Sequence, residues 1–135
     1  MREIKFRAWH ELNKEMVYFK NNKLAKDQFQ ALCLGRLLNG DFGDVLMQYT
    51  GLKDKNGVEI FEGDVLRILS FVDVNGKSNY LHHVIEWSDK FNGWFARNLK
   101  ESGKGDGSLQ LWVYAKEKKF EVVGSVHQSP ELLEE

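Results

Sequence analysis

Hydrophobic and polar residues alternate near the N-terminus of this chain with the period of two that is typical of β-strands, and short apolar runs between turn residues continue along most of its length. In the segment 4–8, apolar residues alternate with Lys5 and Arg7, and a second apolar run at 16–19 follows a polar turn at 11–15. These two runs predict a first hairpin. Valine and aromatic residues enrich most of the later runs, which predict strands at 65–72, 80–87, 94–99, 109–115 and 120–127.

Four Asn-Gly dipeptides divide the middle of the chain, at 39–40, 56–57, 75–76 and 92–93. Asn-Gly favours tight hairpin turns, because both residues tolerate positive φ angles. The dipeptides therefore predict a series of hairpins. The segment 65–72 is apolar on both pleat faces apart from Arg67 and Ser70, which predicts a central strand packed on two sides.

Two segments depart from the β pattern. Between residues 24 and 38, apolar residues recur every three to four positions. Asn39-Gly40 can adopt the left-handed backbone conformation that commonly ends a helix. This spacing predicts one short helix near residues 24–38. The stretch 100–108 is polar and rich in glycine, which predicts a mobile loop.

The C-terminus carries the signals of a short helical turn. Ser129 can act as the N-cap, Pro130 suits the first helical position, and Glu131 lies where a carboxylate favours the helix dipole. The whole pattern predicts a mainly β fold built from hairpins, with a short helix near 24–38 and this terminal turn. A single domain over residues 1–135 is expected, and two β subdomains that share a core, about 1–60 and 61–135, are the alternative left open.

Composition and charge narrow the classes of partner. The 19 basic and 20 acidic residues give a formal net charge of −1, which produces no overall field to attract nucleic acid or an anionic membrane. Cys33 is the single cysteine, which excludes an intramolecular disulfide and a cysteine-based zinc site. No apolar run reaches the roughly 18 residues of a membrane span. We expect a cytoplasmic protein with no membrane partner.

Motifs of known chemistry are incomplete in this chain. Gly76-Lys77-Ser78 resembles the end of a phosphate-binding loop, but Phe71 stands where a second glycine is required. His82 and His83 are neighbours on a predicted strand, so their side chains point to opposite faces and cannot share a metal ion. The sequence therefore offers no catalytic residue, no metal site and no cofactor.

The most distinctive candidate for binding is an aromatic cluster with interleaved cations between residues 87 and 97. Exposed rings beside cations form stacking surfaces, and filling of the core is the alternative role of such rings. If Asn92-Gly93 is a hairpin tip, Trp87 and Phe95 face inward, which leaves Phe91 and Trp94 as the exposed pair. The predicted binding residues are Lys90, Phe91, Trp94 and Arg97.

Three separated segments carry a resemblance to a known family. They are residues 1–9 (MREIKFRAW), residues 46–64 (LMQYTGLKDKNGVEIFEGD) and residues 121–133 (EVVGSVHQSPELL). In this order they resemble the YopX family of bacteriophage and prophage proteins. The resemblance implies one mostly β domain with a barrel-like body, in a protein of a bacterial host, and it brings no catalytic residues. The segments 21–43 and 100–119 show no such match.

Two classes of function follow from these observations. The leading hypothesis is a phage or prophage accessory protein without enzymatic activity that binds or assembles with protein partners. Nucleic acid is a less favoured partner because of the net charge, and assembly into a homo-oligomer is left open. The alternative is a small metal-dependent hydrolase or nuclease that uses scattered carboxylates and a histidine, drawn from Asp41, Asp44, Glu59, Glu62, Asp64, His82 and His127.

Overall fold

Most of the described chain forms antiparallel β-strands that are connected by turns. A computed structural model describes residues 3–20, 23–24, 45–90, 92–99, 105–108 and 120–134. The strands of these residues are β1 (Phe6–His10), β2 (Glu15–Lys20), β3 (Lys23–Leu24), β4 (Val45–Lys53), β5 (Glu59–Phe61), β6 (Asp64–Val72), β7 (Ser78–Ser88), β8 (Gly93–Asn98), β9 (Gly105–Ser108) and β10 (Phe120–Ser125). A short 3-10 helix follows at Pro130–Glu134. No helix among the described residues has the length and apolar character to cross a membrane.

The strands are arranged in two five-stranded sheets. The first has the order β3-β2-β1-β4-β5, and the second has the order β10-β6-β7-β8-β9. Neighbouring strands pair in the antiparallel sense, which allows short turns to join strands that follow each other in sequence. One sheet curls into a half-barrel. The mainly β fold and the barrel-like body are therefore confirmed.

The carboxylate of Asp54 closes the turn between β4 and β5 together with backbone hydrogen bonds of the same turn. Asp54 Oδ1 accepts hydrogen bonds from the backbone N–H groups of Asn56 at 2.8 Å and Val58 at 2.9 Å. Gly57 has a φ angle of +81°, which residues with a Cβ atom disfavour. Asp54 Oδ2 accepts a further hydrogen bond from the backbone N–H of Val122 at 2.9 Å. Asp54 thereby ties this predicted hairpin to β10 of the second sheet.

The main hydrophobic core forms where β5 of the first sheet meets the second sheet. Cross-strand pairs place Ile68 opposite Phe120 and Ile85 opposite Ala96, so these side chains share one face. The buried members of the core are Ile60, Leu66, Ile68, Ile85, Ala96 and Phe120. The second sheet therefore supplies five of the six, and Ile60 connects them to the first sheet.

A buried ion pair joins β1 to the beginning of β6. Arg7 Nη2 donates to Asp64 Oδ1 at 2.7 Å and to the backbone carbonyl of Glu62 at 3.2 Å. Asp64 Oδ2 accepts from the backbone N–H of Phe61 at 2.8 Å, and the Arg7 guanidinium carbon lies 4.8 Å from the centre of the Phe61 ring. The side chains of the pair are 4% and 2% exposed. This contact links the first sheet to the second through groups that water scarcely reaches.

The central strand differs in part from its prediction. β6 lies between β10 and β7, as expected for the segment 65–72. Its first half is buried, but all four residues from Leu69 to Val72 are exposed. The pairing with β10 ends at Ile68, so in the described structure the second half of β6 extends beyond that neighbour. The prediction of packing on two sides is wrong for this half.

Other expectations concern the ends of the chain and its glycine-rich segment. Residues 105–108 were expected in a mobile loop, but they form β9 and pair with β8, which glycine permits because ladder hydrogen bonds use only the backbone. The predicted C-terminal turn is confirmed as the 3-10 helix. The predicted helix near 24–38 lies outside the described residues except for Leu24, which ends β3. The predicted strand at 109–115 lies outside them entirely.

Candidate binding surface

A hairpin arm at the end of the second sheet exposes a group of apolar side chains. β6 pairs with β10 as far as Ile68, and β7 pairs with β8 from His83 onward. Residues 69–80, the arm, therefore have ladder pairs only with each other in the described structure. The exposed apolar residues of the arm are Leu69 at 47%, Phe71 at 58%, Val72 at 54%, Tyr80 at 36% and the fully exposed Val74. Such a concentration differs from the scattered exposure that is normal on a protein surface.

A β-bulge determines how these side chains are distributed. Leu69 lies opposite Tyr80, whereas Phe71 lies opposite Asn79, so β6 has one residue more than β7 at this point. Residues directly opposite each other share a face of the hairpin. The register therefore places Leu69, Tyr80 and Val72 on one face and Phe71 on the other. Apolar side chains consequently occur on both faces of the arm.

The tip of the arm is ordered by the same Asp-X-Asn-Gly chemistry as the turn between β4 and β5. Asp73 Oδ1 accepts hydrogen bonds from the backbone N–H groups of Asn75 and Lys77, both at 2.9 Å. Gly76 has a φ angle of +82°. These contacts confirm the predicted Asn-Gly hairpin, and they place Val74 at the end of a defined turn.

The base of the arm is attached to the sheet through Arg67. The guanidinium carbon of Arg67 lies 4.6 Å from the centre of the Tyr80 ring, within the range of a cation–π contact. Arg67 Nε also donates to Glu121 of β10, and Lys55 Nζ lies 4.0 Å from the same carboxylate. The cations beside the arm are thus paired with a carboxylate on the sheet.

The structure changes the assignment of the tryptophans that were expected to flank a hairpin tip. Trp87 and Trp94 lie directly opposite each other and meet edge to face, with ring centres 5.2 Å apart. Both therefore occupy one face of the sheet, where Trp94 packs against the hydrophobic core and Trp87 is 44% exposed. The expectation that Trp87 faces inward and Trp94 outward is wrong, because the register of the hairpin gives the two rings the same side.

The four predicted binding residues are not assembled into one surface. Trp94 and Arg97 are three residues apart on β8, so their side chains point to opposite faces. Arg97 Nε donates to Glu86 Oε1 at 3.1 Å, and Lys90 lies in an exposed turn. Phe91 lies outside the described residues. A binding role for Lys90, Phe91, Trp94 and Arg97 stays a prediction.

A second group of polar residues surrounds the buried ion pair. The ring of His127 stacks on Trp9, with centres 5.8 Å apart and an angle of 18° between the planes. Burial lowers the pKa of His127, and the nearby positive charge of Arg7 lowers it further. Burial raises the pKa of Glu62, which a hydrogen bond from the Gln48 backbone partly opposes. These shifts follow from the closure of the two sheets around a charged contact.

Two residues of the hydrolase alternative form ion pairs within the scaffold. Asp64 pairs with Arg7, and Glu59 Oε2 accepts from Lys5 Nζ at 2.6 Å. His83 is fully buried and His82 is half-buried, as expected for neighbours that face opposite sides of a strand. Asp41 and Asp44 lie outside the described residues. Among the residues that the structure describes, no three His, Cys, Asp or Glu side chains are grouped closely enough to hold a metal ion.

Comparison with known proteins places this architecture in a family. A family model described as YopX protein matches residues 5–134. The chain belongs to the YopX family. The crystal structure of protein EF1440 from Enterococcus faecalis is similar to this YopX family member, with a TM-score of 0.62 and 27% sequence identity over 98% of this chain and 99% of that chain. No protein with a curated description matches the chain significantly.

The arm of this YopX family member was missed by the sequence analysis. A signal was present in the apolar character of the segment 65–72 on both pleat faces. That character predicts a strand that is covered on both faces, whereas residues 69–72 are exposed. In the structure β6 and β7 have nine and eleven residues, whereas the described parts of β8 and β10 have six each. In the described structure the longer pair therefore extends beyond those neighbours.

Proposed function

We propose that this YopX family member is a binding module without enzymatic activity that contacts a protein partner through the arm. The supporting observation is the group of five exposed apolar side chains on residues 69–80. Covering apolar surface is favourable by about 25 cal/mol per Å², so a complementary protein surface would gain free energy by enclosing the arm. The proposal retains the expectation of a phage or prophage accessory protein in the bacterial cytoplasm.

The charges around the arm favour a protein over nucleic acid. Within residues 69–80 there is one acidic residue, Asp73, and one basic residue, Lys77. Near the base, Arg67 is paired with Glu121, and Arg97 elsewhere on the sheet is paired with Glu86. Nucleic acid binding depends on lysine and arginine that are available to neutralise phosphates. The arm offers mainly apolar area in place of such a set of cations.

Site-specific photo-cross-linking in the bacterial host tests the proposal. A photoreactive phenylalanine analogue at position 71 is expected to form a covalent product with one or a few discrete proteins. The matched control carries the analogue in place of Leu12, which is 84% exposed in the turn between β1 and β2. The same products from both positions, or no product from position 71, would contradict a partner site on the arm.

A titration with labelled DNA tests the choice of partner class. Single-stranded and duplex DNA are expected not to bind at about 50 mM salt, where contacts to phosphates are strong. Binding that weakens steeply as salt is added would show that nucleic acid is the partner, and the proposal would then be wrong.

A further inference from the structure

We infer that Asn75, at the tip of the arm, is a site of spontaneous deamidation, a modification that places a new negative charge beside Val74. The inference goes beyond the proposed function, because the reaction needs water and no partner. Asn75-Gly76 is one of the four Asn-Gly pairs of the chain, and Asn75 is exposed. The pair therefore presents two groups that can react with each other at an accessible position.

Deamidation of an Asn-Gly pair is a reaction between the asparagine side chain and the backbone. The backbone nitrogen of the glycine attacks the side-chain carbonyl carbon, a C–N bond forms, and ammonia leaves with the proton of the attacking nitrogen. Water then opens the resulting succinimide ring and leaves aspartate or isoaspartate, each with one new carboxylate. Glycine favours the attack, because it has no Cβ atom to crowd the reacting atoms. At Gly76 the position of a Cβ atom has no other heavy atom within 4 Å, so this side of the turn is open.

The N–H group of Gly76 must leave a hydrogen bond before its nitrogen can attack. Gly76 N donates to the backbone carbonyl of Asp73 at 3.0 Å, and a nitrogen that is held as a donor is a poor nucleophile. In the folded chain the reaction therefore proceeds through local opening of the turn, and the contacts of the turn determine its rate. The arm has ladder pairs only with itself in the described structure, so its tip can open without disturbing the rest of the sheet.

The turn between β4 and β5 provides a matched comparison within the same molecule. Asn56 is exposed there too, and Gly57 N donates to the backbone carbonyl of Asp54 at 3.1 Å. This turn is also tied to β10. Asp54 Oδ2 accepts from the N–H of Val122 at 2.9 Å, and the backbone N–H of the next residue donates to a β10 carbonyl at 3.2 Å. Two additional hydrogen bonds thus resist its opening, which makes Asn75 the more reactive of the two asparagines.

Deamidation changes the charge of the arm. Asp73 and Lys77 are the charged residues of the segment 69–80, so one negative and one positive charge give the unmodified arm a net charge of zero. The new carboxylate changes this value to −1, next to the fully exposed Val74. Burial of a carboxylate without a partner costs free energy. The modified arm is therefore less suited to an apolar contact than the unmodified one.

Peptide mapping by mass spectrometry tests the inference, after incubation of the folded chain in mildly alkaline buffer. The reaction replaces a nitrogen by an oxygen, and the small increase in mass is followed in peptides that contain either Asn75 or Asn56. Asn75 is expected to react at least about fivefold faster than Asn56, because two more hydrogen bonds hold the second turn closed. The control is the same chain unfolded in urea, where both turns are open and the two rates should be similar.

The variant Asn75→Gln checks the assignment of the reacting residue. Its side chain would have to close a larger and less favourable ring, so the product should disappear from that peptide while Asn56 reacts as before. The inference would be overturned if Asn75 reacted no faster than Asn56 in the folded chain, or if urea left the ratio of the two rates unchanged. It would also be overturned if Asn75 stayed intact in the folded chain after the unfolded chain had reacted completely. These outcomes do not involve a partner, so the proposed function is tested separately by the cross-linking at position 71.

Discussion

Replacement of Asp64 by asparagine is expected to destabilise the fold by about 3 to 5 kcal/mol, because it removes one partner of a buried ion pair. The substitution preserves the shape of the side chain, so its effect reports on charge and hydrogen bonding. Asp64 is 1% exposed, and one of its oxygens lies 2.7 Å from Arg7 Nη2. After the substitution, the guanidinium of Arg7 would stay buried without a compensating negative charge.

The local hydrogen bonds add to this cost. Asp64 Oδ2 accepts from the backbone N–H of Phe61 at 2.8 Å, while Oδ1 accepts from Arg7. An asparagine can supply one acceptor oxygen, so its NH₂ group must face one of these two donors. An unsatisfied buried donor costs about 1 to 3 kcal/mol, a cost that overlaps with the loss of the charge and is contained in the predicted total. Arg7 is itself held by the carbonyl of Glu62, which limits how far it can move away.

Urea unfolding followed by tryptophan fluorescence measures the effect. With a slope of about 1 to 3 kcal/mol per molar urea, the midpoint should fall by one to several molar. The control is Glu59→Gln, which removes the Lys5–Glu59 pair at 2.6 Å, where the side chains are 35% and 32% exposed. That change should cost at most about 1 kcal/mol. A similar small cost for Asp64→Asn would refute the reasoning. Burial raises the pKa of Asp64, and the positive charge of Arg7 opposes that shift.

Three further predictions concern the turns, the C-terminus and pH. In urea unfolding, Asp54→Ala should lower the free energy of unfolding by about 1.5 to 3 kcal/mol more than Asp73→Ala. The two carboxylates close equivalent turns, but of these two only Asp54 also accepts a hydrogen bond from the backbone of β10. Equal losses for the two variants would contradict this role of Asp54. Gly124→Ala should destabilise the chain and expose its C-terminus to carboxypeptidase, because the added Cβ would lie 2.5 Å from Ser129 Oγ. If the variant resists carboxypeptidase as well as the wild type does, the 3-10 helix moves without cost and the prediction is wrong. Burial lowers the pKa of His127 in the folded chain below its ordinary value near 6.5. The unfolded chain therefore binds more protons at this residue, and His127 reduces the free energy of unfolding as the pH falls from about 7.5 to 5. His127→Phe retains a ring against Trp9 and should remove that part of the loss; identical pH slopes of the unfolding free energy for both proteins would contradict it.

The strands and two of the turns could be predicted because their signals are local. Asn56-Gly57 and Asn75-Gly76 specify positive φ angles, and the turns were found where the dipeptides stand. The alternating and apolar runs near the N-terminus located β1 and β2, and the enrichment in valine and aromatic residues located β6, β7 and β8, to within a few residues. The helical turn at the C-terminus could likewise be predicted from Ser129 and Pro130, because helix capping depends on the adjacent backbone.

The features that escaped prediction depend on how distant segments pair. The faces of Trp87 and Trp94 follow from the register of β7 with β8, and a shift of that register by one residue would reverse them. The exposure of Phe71 depends on which segments of the chain cover the second half of β6, which the sequence of β6 does not contain. The ion pair between Arg7 and Asp64 joins residues 57 positions apart, and neither residue stands in a motif that would indicate the other.

Membership of the YopX family does not identify the partner, because the residues that carry the resemblance stabilise the scaffold. The segment 46–64, which carried much of the resemblance, contains Asp54 and Asp64, and both of these carboxylates connect the two sheets. The segment is therefore explained by its contribution to the scaffold. The arm at 69–80 lies outside all three segments that carried the resemblance, and its exposed side chains contribute little to folding. Variants of Asp54 and Asp64 should consequently change stability, whereas variants of Phe71 and Val74 should change association with little effect on unfolding.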